Sequence, residues 1–168
     1  MDDVVGDLLA GAAAFVAMEP LTYAAHRWVM HGVGWVLHRS HHRRRRIVTW
    51  RDRFEANDWF PVAFATVTIG AMAAGTGLRS AAVLVPIGVG VTAYGAAYAF
   101  VHDVYIHARI GRLPVLAPLE ALRDAHAIHH LFGGEPYGML CPIVPAELRA
   151  RAADRTVDPL SPRAAPAA

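Results

Sequence analysis

Two uninterrupted apolar runs constrain what this chain can fold into. Residues 59–78 and residues 81–101 contain no charged side chain. Because an α-helix of about 20 apolar residues spans the hydrocarbon core of a bilayer, both runs predict transmembrane helices. Only Arg79 and Ser80 separate them, which predicts a tight helical hairpin.

A third apolar segment covers residues 4–25 and carries only two charged side chains, Asp7 and Glu19. We predict a further transmembrane helix here, which Pro20 kinks or breaks. Glu19 allows two interpretations, a functional carboxylate within the membrane or a side chain that extends to the interface. The first residues are acidic where a signal peptide is basic, so we expect no cleaved leader.

Arginine placement predicts the orientation in the membrane. All 16 basic residues are arginine, and they concentrate between the first and second predicted spans and after the third. The positive-inside rule puts those segments in the cytoplasm and the N-terminus outside, as in a multi-pass protein of the inner (cytoplasmic) membrane. We interpret the arginine run at residues 43–46 as solvated charges that determine the orientation of the spans in the membrane. We expect no nucleic-acid partner.

The ten histidines fall into four motifs, and none lies outside them. The spacing H-x4-H occurs at His26 and His31 and again at His102 and His107. The spacing H-x2-H-H occurs twice, and its members are His38, His41, His42, His126, His129 and His130. Because the predicted topology places every motif on the cytoplasmic face, all ten side chains can converge on one site there.

These spacings predict metal ligands, since imidazole is the commonest metal ligand in proteins. Helical residues at i, i+3 and i+4 share one face, so each triplet can present two or three nitrogens together. Residues five apart are about 140° apart on an α-helix. An H-x4-H pair therefore needs a π-bulge to reach one ion, or it flanks a site, or it serves two ions. Ten histidines exceed the capacity of one ion and predict two, with four or five nitrogens each.

Other classes of function stay open at this point. A bis-histidine haem carrier needs only two to four histidines, placed deeper in the bilayer. A metal transporter requires polar ligands at mid-membrane, and the second and third predicted spans have none there. The single cysteine, Cys141, excludes an intrachain disulfide and an iron–sulfur cluster held by four thiolates. Neither a dinucleotide-binding glycine motif nor a P-loop is present.

The four motifs occur with particular neighbours, among them Met18-Glu19, the segment Phe54-Glu55-Ala56-Asn57-Asp58 and His107-Ala-Arg109. In these motifs and neighbours, over roughly residues 15–142, the chain resembles the bacterial β-carotene hydroxylases. That family lies within the wider membrane fatty acid hydroxylase and sterol desaturase group.

The resemblance implies a non-haem di-iron centre, with two Fe ions held by the ten histidines and no other catalytic or cofactor-binding residue. It implies O₂ as co-substrate and an external electron donor such as a ferredoxin. The implied reaction hydroxylates C3 of the β-ionone ring of a carotenoid, converting β-carotene to β-cryptoxanthin and zeaxanthin. A fatty acid or sterol hydroxylase or desaturase with the same metals is the alternative. Zinc can fill such sites in a purified sample, because imidazole-rich sites accept it readily.

Acidic and amide side chains near the motifs are candidates for accepting hydrogen bonds from ligand N–H groups. Asp103 and Asp124 either do so or are solvated charges. For Glu55, Asn57 and Asp58 we favour capping of the second span, with hydrogen bonding to a ligand as the alternative.

Aromatic residues of the spans are candidates for the substrate site. Tyr94, Tyr98 and Trp59 either line a slot for an apolar polyene or anchor the helices at the membrane interface. No pattern of residues in the sequence indicates a binding site for a β-ionone ring.

We therefore predict an all-α integral membrane protein with about three transmembrane helices and a cytoplasmic helical cap that holds a histidine-rich dimetal site. The cap includes a helix over residues 118–131 that ends at Gly133-Gly134. A single transmembrane catalytic domain covers residues 1–148, and residues 149–168 form a polar, disordered tail.

Overall fold

The computed structural model describes residues 2–43, 49–153 and 160. Most of the arginine run, residues 44–46, lies outside the described residues. In the part of the chain that is described, all regular structure is helical, as predicted. The α-helices are α1 (Asp2–Ala24), α2 (Trp35–His38), α3 (Trp59–Gly77), α4 (Leu84–Ala99), α5 (Ala117–Phe132) and α6 (Ala146–Ala153).

Two of these helices continue directly into π-helices. Helix α1 continues as Ala25–Val33, which is kinked at Gly32 where the backbone angles are not helical, and α4 continues as Phe100–Ile106. Shorter 3₁₀-helices occupy Trp50–Arg53, Ala56–Asp58 and Arg79–Ala81.

Three helical segments are long and apolar enough to cross a membrane, namely Asp3–Val33, Ala56–Gly77 and Leu84–Ile106. They confirm the three predicted spans. The turn Arg79–Ala81 joins the second to the third, which confirms the predicted hairpin. Helix α1 continues through Pro20, so the helix does not break there.

The buried interior lies at one end of the helical bundle, which we call the histidine end. Six of the buried polar residues there are histidines: His26, His38, His41, His102, His126 and His129. Apolar side chains pack beside them, among them Val101, Tyr105, Ile106 and Met139. Burying polar groups is costly unless their hydrogen-bonding or ligand atoms are satisfied, so this end is organised around a polar centre.

The cap helix confirms the sequence prediction closely. Helix α5 has a proline in its first turn and ends at Gly133, whose φ of 65° is the left-handed conformation that glycine adopts without strain. Helix α6 follows and extends to Ala153. Residues 149–153 are therefore helical, and the predicted disorder of the tail is wrong for them. Except for Leu160, the rest of the tail lies outside the described residues.

Gly90 marks a close approach between α1 and α4. A β-carbon on Gly90 would lie 2.0 Å from the carbonyl oxygen of Gly11, a distance that two non-bonded atoms do not tolerate. Membrane helices commonly pack backbone to backbone at such small residues. We expect Gly90→Ala to separate the two helices and to lower the free energy of unfolding by about 1–3 kcal/mol, measured by denaturant unfolding of the purified protein in detergent.

The matched control is Gly95→Ala on the same helix, because a β-carbon there meets nothing within 4 Å. This variant should unfold like the unmodified protein. If Gly90→Ala and Gly95→Ala unfold at the same denaturant concentration, the close packing of α1 on α4 is not a source of stability.

Candidate metal centre

The histidines gather into two clusters. In the first histidine cluster, one ring nitrogen of each member lies within 4.8 Å of all the others, and the members are His26, His31, His38, His42 and His129. The same criterion groups the second histidine cluster, which contains His41, His107, His126 and His130. His102 joins the second cluster, since its Nε2 lies 3.0 Å from Nε2 of His41. All four sequence motifs thus converge at the histidine end.

Within each cluster the Nε2 atoms face one another. Nε2 of His38 lies 3.1 Å from Nε2 of His26 in the first cluster. In the second cluster, Nε2 of His126 lies 2.9 Å from that of His107 and 3.0 Å from that of His130. Ligand nitrogens at right angles to each other, about 2.1 Å from a shared ion, are about 3.0 Å apart. The donor set and its spacing therefore fit a metal ion in each cluster.

The same distances disfavour a haem. The axial nitrogens of a bis-histidine haem lie on opposite sides of the porphyrin, about 4 Å apart. Nε2 of His129 lies 3.2 Å from Nε2 of His31 and 3.2 Å from Nε2 of His42, which leaves no space for a porphyrin between these rings.

Each H-x4-H pair stays within one cluster because its backbone is π-helical. The π-helix Ala25–Val33 contains both His26 and His31. At the end of the second π-helix, the backbone N–H of His107 donates to the carbonyl oxygen of His102 over 2.9 Å. This hydrogen bond joins residues five apart, as in a π-helix. Of the three arrangements that the sequence leaves open, the structure has the π-helical one.

Each H-x2-H-H triplet, in contrast, supplies both clusters. On α5, His129 joins the first cluster while its two partners in the triplet join the second. In the turn after α2, His41 belongs to the second cluster and His42 to the first. The rings of His42 and His130 stack across the boundary with their centroids 4.5 Å apart. The two clusters are therefore neighbours, held together by shared chain segments.

In the first cluster, neutral oxygen atoms accept hydrogen bonds from the outward-facing Nδ1 atoms. His26 Nδ1 donates to the Tyr137 carbonyl oxygen over 2.9 Å, and His129 Nδ1 donates to that of Gly134 over 2.5 Å. His38 Nδ1 donates to Oδ1 of Asn57 over 2.7 Å. Placing the proton on Nδ1 leaves the lone pair on Nε2 pointing into the cluster, as a metal ligand requires.

In the second cluster, carboxylates lie next to the Nδ1 atoms. Asp103 accepts from Nδ1 of His102 over 3.0 Å, and Oε2 of Glu55 lies 3.3 Å from Nδ1 of His41. The guanidinium of Arg109 contacts three carboxylates. Its Nη1 lies 2.7 Å from Asp58, its Nε 3.1 Å from Asp103 and its Nη2 3.7 Å from Glu55. The surroundings of the two clusters therefore differ in charge.

The three candidate acceptors on the connection before α3 make different contacts. Asn57 is buried and accepts from His38. Asp58 accepts from the backbone N–H of Glu55 over 2.9 Å as well as from Arg109. No side-chain hydrogen bond caps α3 itself, but Glu55 and Asp58 form a capping box at the 3₁₀ turn Ala56–Asp58, where the second span begins. The structure thus has the capping arrangement at Glu55 and Asp58, and the hydrogen bond to a histidine at Asn57.

The structure does not bring Asp124 to the clusters. Its side chain is exposed on α5, and among the described residues no histidine donates a hydrogen bond to it. The sequence leaves two interpretations open for Asp124, and its exposed position agrees with the one in which it is a solvated charge.

Burial keeps the histidines outside the spans uncharged. Removal from water, reinforced by neighbouring histidines, lowers the pKa of His38 to about 4 and that of His42 to about 3. For the same reasons the pKa lies well below its usual value in His41, His107, His126, His129 and His130. At neutral pH these rings are therefore neutral, which is the form that ligates metals.

The three aromatic candidates for a substrate slot lie in different surroundings. The ring of Tyr98 lies 5.2 Å, centroid to centroid, from that of His102 beside the second cluster. Tyr94 is buried and its hydroxyl donates to Glu19 over 2.5 Å. Trp59 is 65% exposed at the start of α3. Only Tyr98 contacts the histidines.

Sequence reasoning missed Arg109 and the carbonyl oxygens of Gly134 and Tyr137 as partners of the clusters. Arg109 follows His107 by two residues, and its place among the neighbours of that motif is the signal that points to it. A carbonyl oxygen is present in every residue, so its role as an acceptor leaves no trace in the sequence.

Comparison with known proteins gives consistent matches over most of the chain. The fatty acid hydroxylase family profile matches residues 11–145. The chain is 39% identical over 141 residues to a β-carotene hydroxylase of Pseudescherichia vulneris, covering 80% of this chain and 76% of that protein. A β-carotene hydroxylase of Pantoea ananas is 38% identical over 123 residues, with 71% of this chain and 66% of that protein covered.

A chloroplastic β-carotene 3-hydroxylase of Haematococcus lacustris is 35% identical over 155 residues. The match covers 88% of this chain but 46% of the algal protein, so the chain spans about half of that relative. No solved structure matches the chain.

Proposed function

Because this chain belongs to the fatty acid hydroxylase family and is a hydroxylating oxidoreductase, we propose that it hydroxylates carotenoids at C3 of the β-ionone ring, converting β-carotene to β-cryptoxanthin and zeaxanthin. The observation that carries this proposal is the gathering of ten imidazoles into two adjacent clusters. The names of the bacterial relatives supply the substrate class.

In this proposal each histidine cluster holds one iron ion through its Nε2 atoms. Bound there, the iron pair supplies the oxidising power to insert one atom of O₂ into an unactivated C–H bond, the other atom leaving as water. The protein contributes neutral ligands, fixed in orientation by their Nδ1 hydrogen bonds. Burial of His38, His41 and His129 excludes bulk water from the ligand atoms.

The position of Tyr98 supports approach of the substrate from the membrane. Its ring lies on α4 and contacts His102, so it forms part of the boundary between the spans and the second cluster. Farther along the bundle, α1 and α4 flank an open and largely apolar groove. A long apolar polyene in the bilayer would reach the clusters along these two helices, and its ring would stop at Tyr98.

The remaining parts of the proposal concern partners and location. The reaction needs two electrons, and the sequence has no dinucleotide-binding glycine motif, so a separate protein such as a ferredoxin supplies them. The arginine-rich segments favour a cytoplasmic position for the clusters and an outside N-terminus. The enzyme would then lie in the inner membrane with its donor in the cytoplasm.

The test is expression of the chain in a bacterial host that accumulates β-carotene, followed by chromatography of the pigments. We expect β-cryptoxanthin and zeaxanthin to appear, and we expect neither in the same host grown without O₂. Unchanged β-carotene together with newly hydroxylated or desaturated fatty acids or sterols would contradict the carotenoid assignment while keeping the hydroxylase class.

A further inference from the structure

Glu19 lies in the first span, yet its carboxylate has a full set of hydrogen-bond donors. Oε1 accepts the backbone N–H groups of Met139 and Cys141 over 2.9 and 3.0 Å. Oε2 accepts the N–H of Leu140 over 3.1 Å and the hydroxyl of Tyr94 over 2.5 Å. Four donors converge on one side chain, so the carboxylate is held by other parts of the protein.

The segment that Glu19 holds runs between α5 and α6, and we call residues 133–145 the connecting segment. Gly138 lies so close to the carboxylate that a β-carbon on it would be 2.9 Å from Oε1. On the same segment Met139 is buried against Val101, Tyr105 and Ile106. The contact is therefore a close fit of α1 to the connecting segment at the histidine end.

The connecting segment also provides acceptors for the first histidine cluster. The carbonyl oxygen of Tyr137 accepts from Nδ1 of His26, and that of Gly134 accepts from Nδ1 of His129. The carboxylates next to the second cluster, those of Asp103 and Glu55, lie on other parts of the chain. Loss of the segment's position would therefore remove Nδ1 acceptors from the first cluster, whereas the second cluster would keep its neighbouring carboxylates.

We propose that Glu19 is a positioning residue for the metal site of the first histidine cluster. Its carboxylate fixes residues 139–141, and this places the two carbonyl oxygens that orient His26 and His129. The inference rests on the proposed metal centre but assigns a role to a residue that is not a ligand. A second attachment, Glu135 to the hydroxyl of Tyr23 and to Arg27, involves more exposed groups and so holds the segment less firmly.

Two substitutions disturb this contact from opposite sides. Glu19→Gln keeps the size of the side chain but replaces one acceptor oxygen with an amide NH₂, which would then face N–H and O–H donors. Gly138→Ala leaves the carboxylate intact and displaces it with a methyl group. The matched control is Asp7→Asn, which neutralises another carboxylate of the first span, one with no contact to the connecting segment in the described part of the chain.

The experiment is a titration of metal-free, full-length protein in detergent with Co²⁺, followed by the visible absorption of the bound ion. We expect two tight equivalents for the unmodified protein and for Asp7→Asn. For Glu19→Gln and Gly138→Ala we expect one equivalent to remain tight and the other to bind about 10–100-fold more weakly, the usual effect of removing support from a ligand histidine. Adding His107→Ala to Glu19→Gln should abolish the remaining tight equivalent, whereas adding His31→Ala should leave it.

The outcomes are distinguishable. Two tight equivalents in both variants would overturn the positioning role of Glu19 while leaving the metal centre in place. Loss of both equivalents together would also overturn it, because the effect would not be confined to the first cluster. An unmodified protein that binds no Co²⁺ would instead refute the proposed metal centre itself.

Discussion

Replacement of His129 with alanine should reduce carotenoid hydroxylation below detection and remove the metal from the first histidine cluster. The side chain of His129 is fully buried, and its Nε2 lies 3.2 Å from those of His31 and His42. Alanine removes the ligand nitrogen from the middle of the cluster, and no other described side chain replaces it. The measurements are pigment conversion in the β-carotene host and the metal content of the purified variant.

The matched control for this substitution is Ile128→Ala, at the preceding position of α5. Ile128 is also buried, and truncating it costs about 2–5 kcal/mol of stability without removing a ligand. This variant should be less stable than the unmodified protein and still carry its full complement of metal. Full metal content and activity in His129→Ala would refute the ligand assignment.

Replacement of Arg109 with alanine should destabilise the protein by about 1–3 kcal/mol, the usual cost of leaving a largely buried polar group without its hydrogen-bond partner. The side chain of Arg109 is only 14% exposed and lies within 4 Å of carboxylate oxygens of Asp58, Asp103 and Glu55. Without the guanidinium, these carboxylates would repel one another beside the second cluster. The measurement is the free energy of unfolding in detergent, with hydroxylase activity recorded in parallel.

Arg112→Ala serves as the control for Arg109→Ala. Arg112 is exposed, and it has no ion pair with any described residue. Its removal should change the free energy of unfolding by less than about 0.5 kcal/mol. Equal unfolding of the two variants would show that the pairs made by Arg109 do not contribute to stability. Arg109→Lys should restore only part of the lost free energy of unfolding, because an ammonium group cannot match the forked geometry of a guanidinium.

The helices and their order could be predicted from the sequence because the relevant signals are local and strong. Uncharged runs of about 20 residues have few alternatives to a membrane span. The cap helix has a proline near its start and glycines at its end, and the structure places α5 there. The prediction that a disordered tail begins at residue 149 depended on composition alone, and α6 extends past that residue.

The candidate site was predictable in its members but not in its arrangement. Motif spacing identifies the ten histidines, yet it does not show that a π-helix directs His26 and His31 to the same cluster. Nor does spacing show that each triplet divides between the two clusters. These features depend on how α5, α1 and the turn after α2 meet in space, which is tertiary information.

Contacts distant in sequence were the least predictable. Glu19 is recognisable as an intramembrane carboxylate, but three of its four hydrogen-bond donors lie 120 to 122 residues further along the chain. They are backbone N–H groups, which every residue except proline has. Arg109 joins acidic groups from two separate segments, and no spacing rule relates them.

The most direct test of this account is the iron content of the full-length protein after reconstitution with Fe²⁺ without oxygen and removal of loosely bound metal. The account predicts two iron ions per chain, since one belongs to each histidine cluster. A protein that retains its helical content but binds one iron or none under these conditions would contradict it.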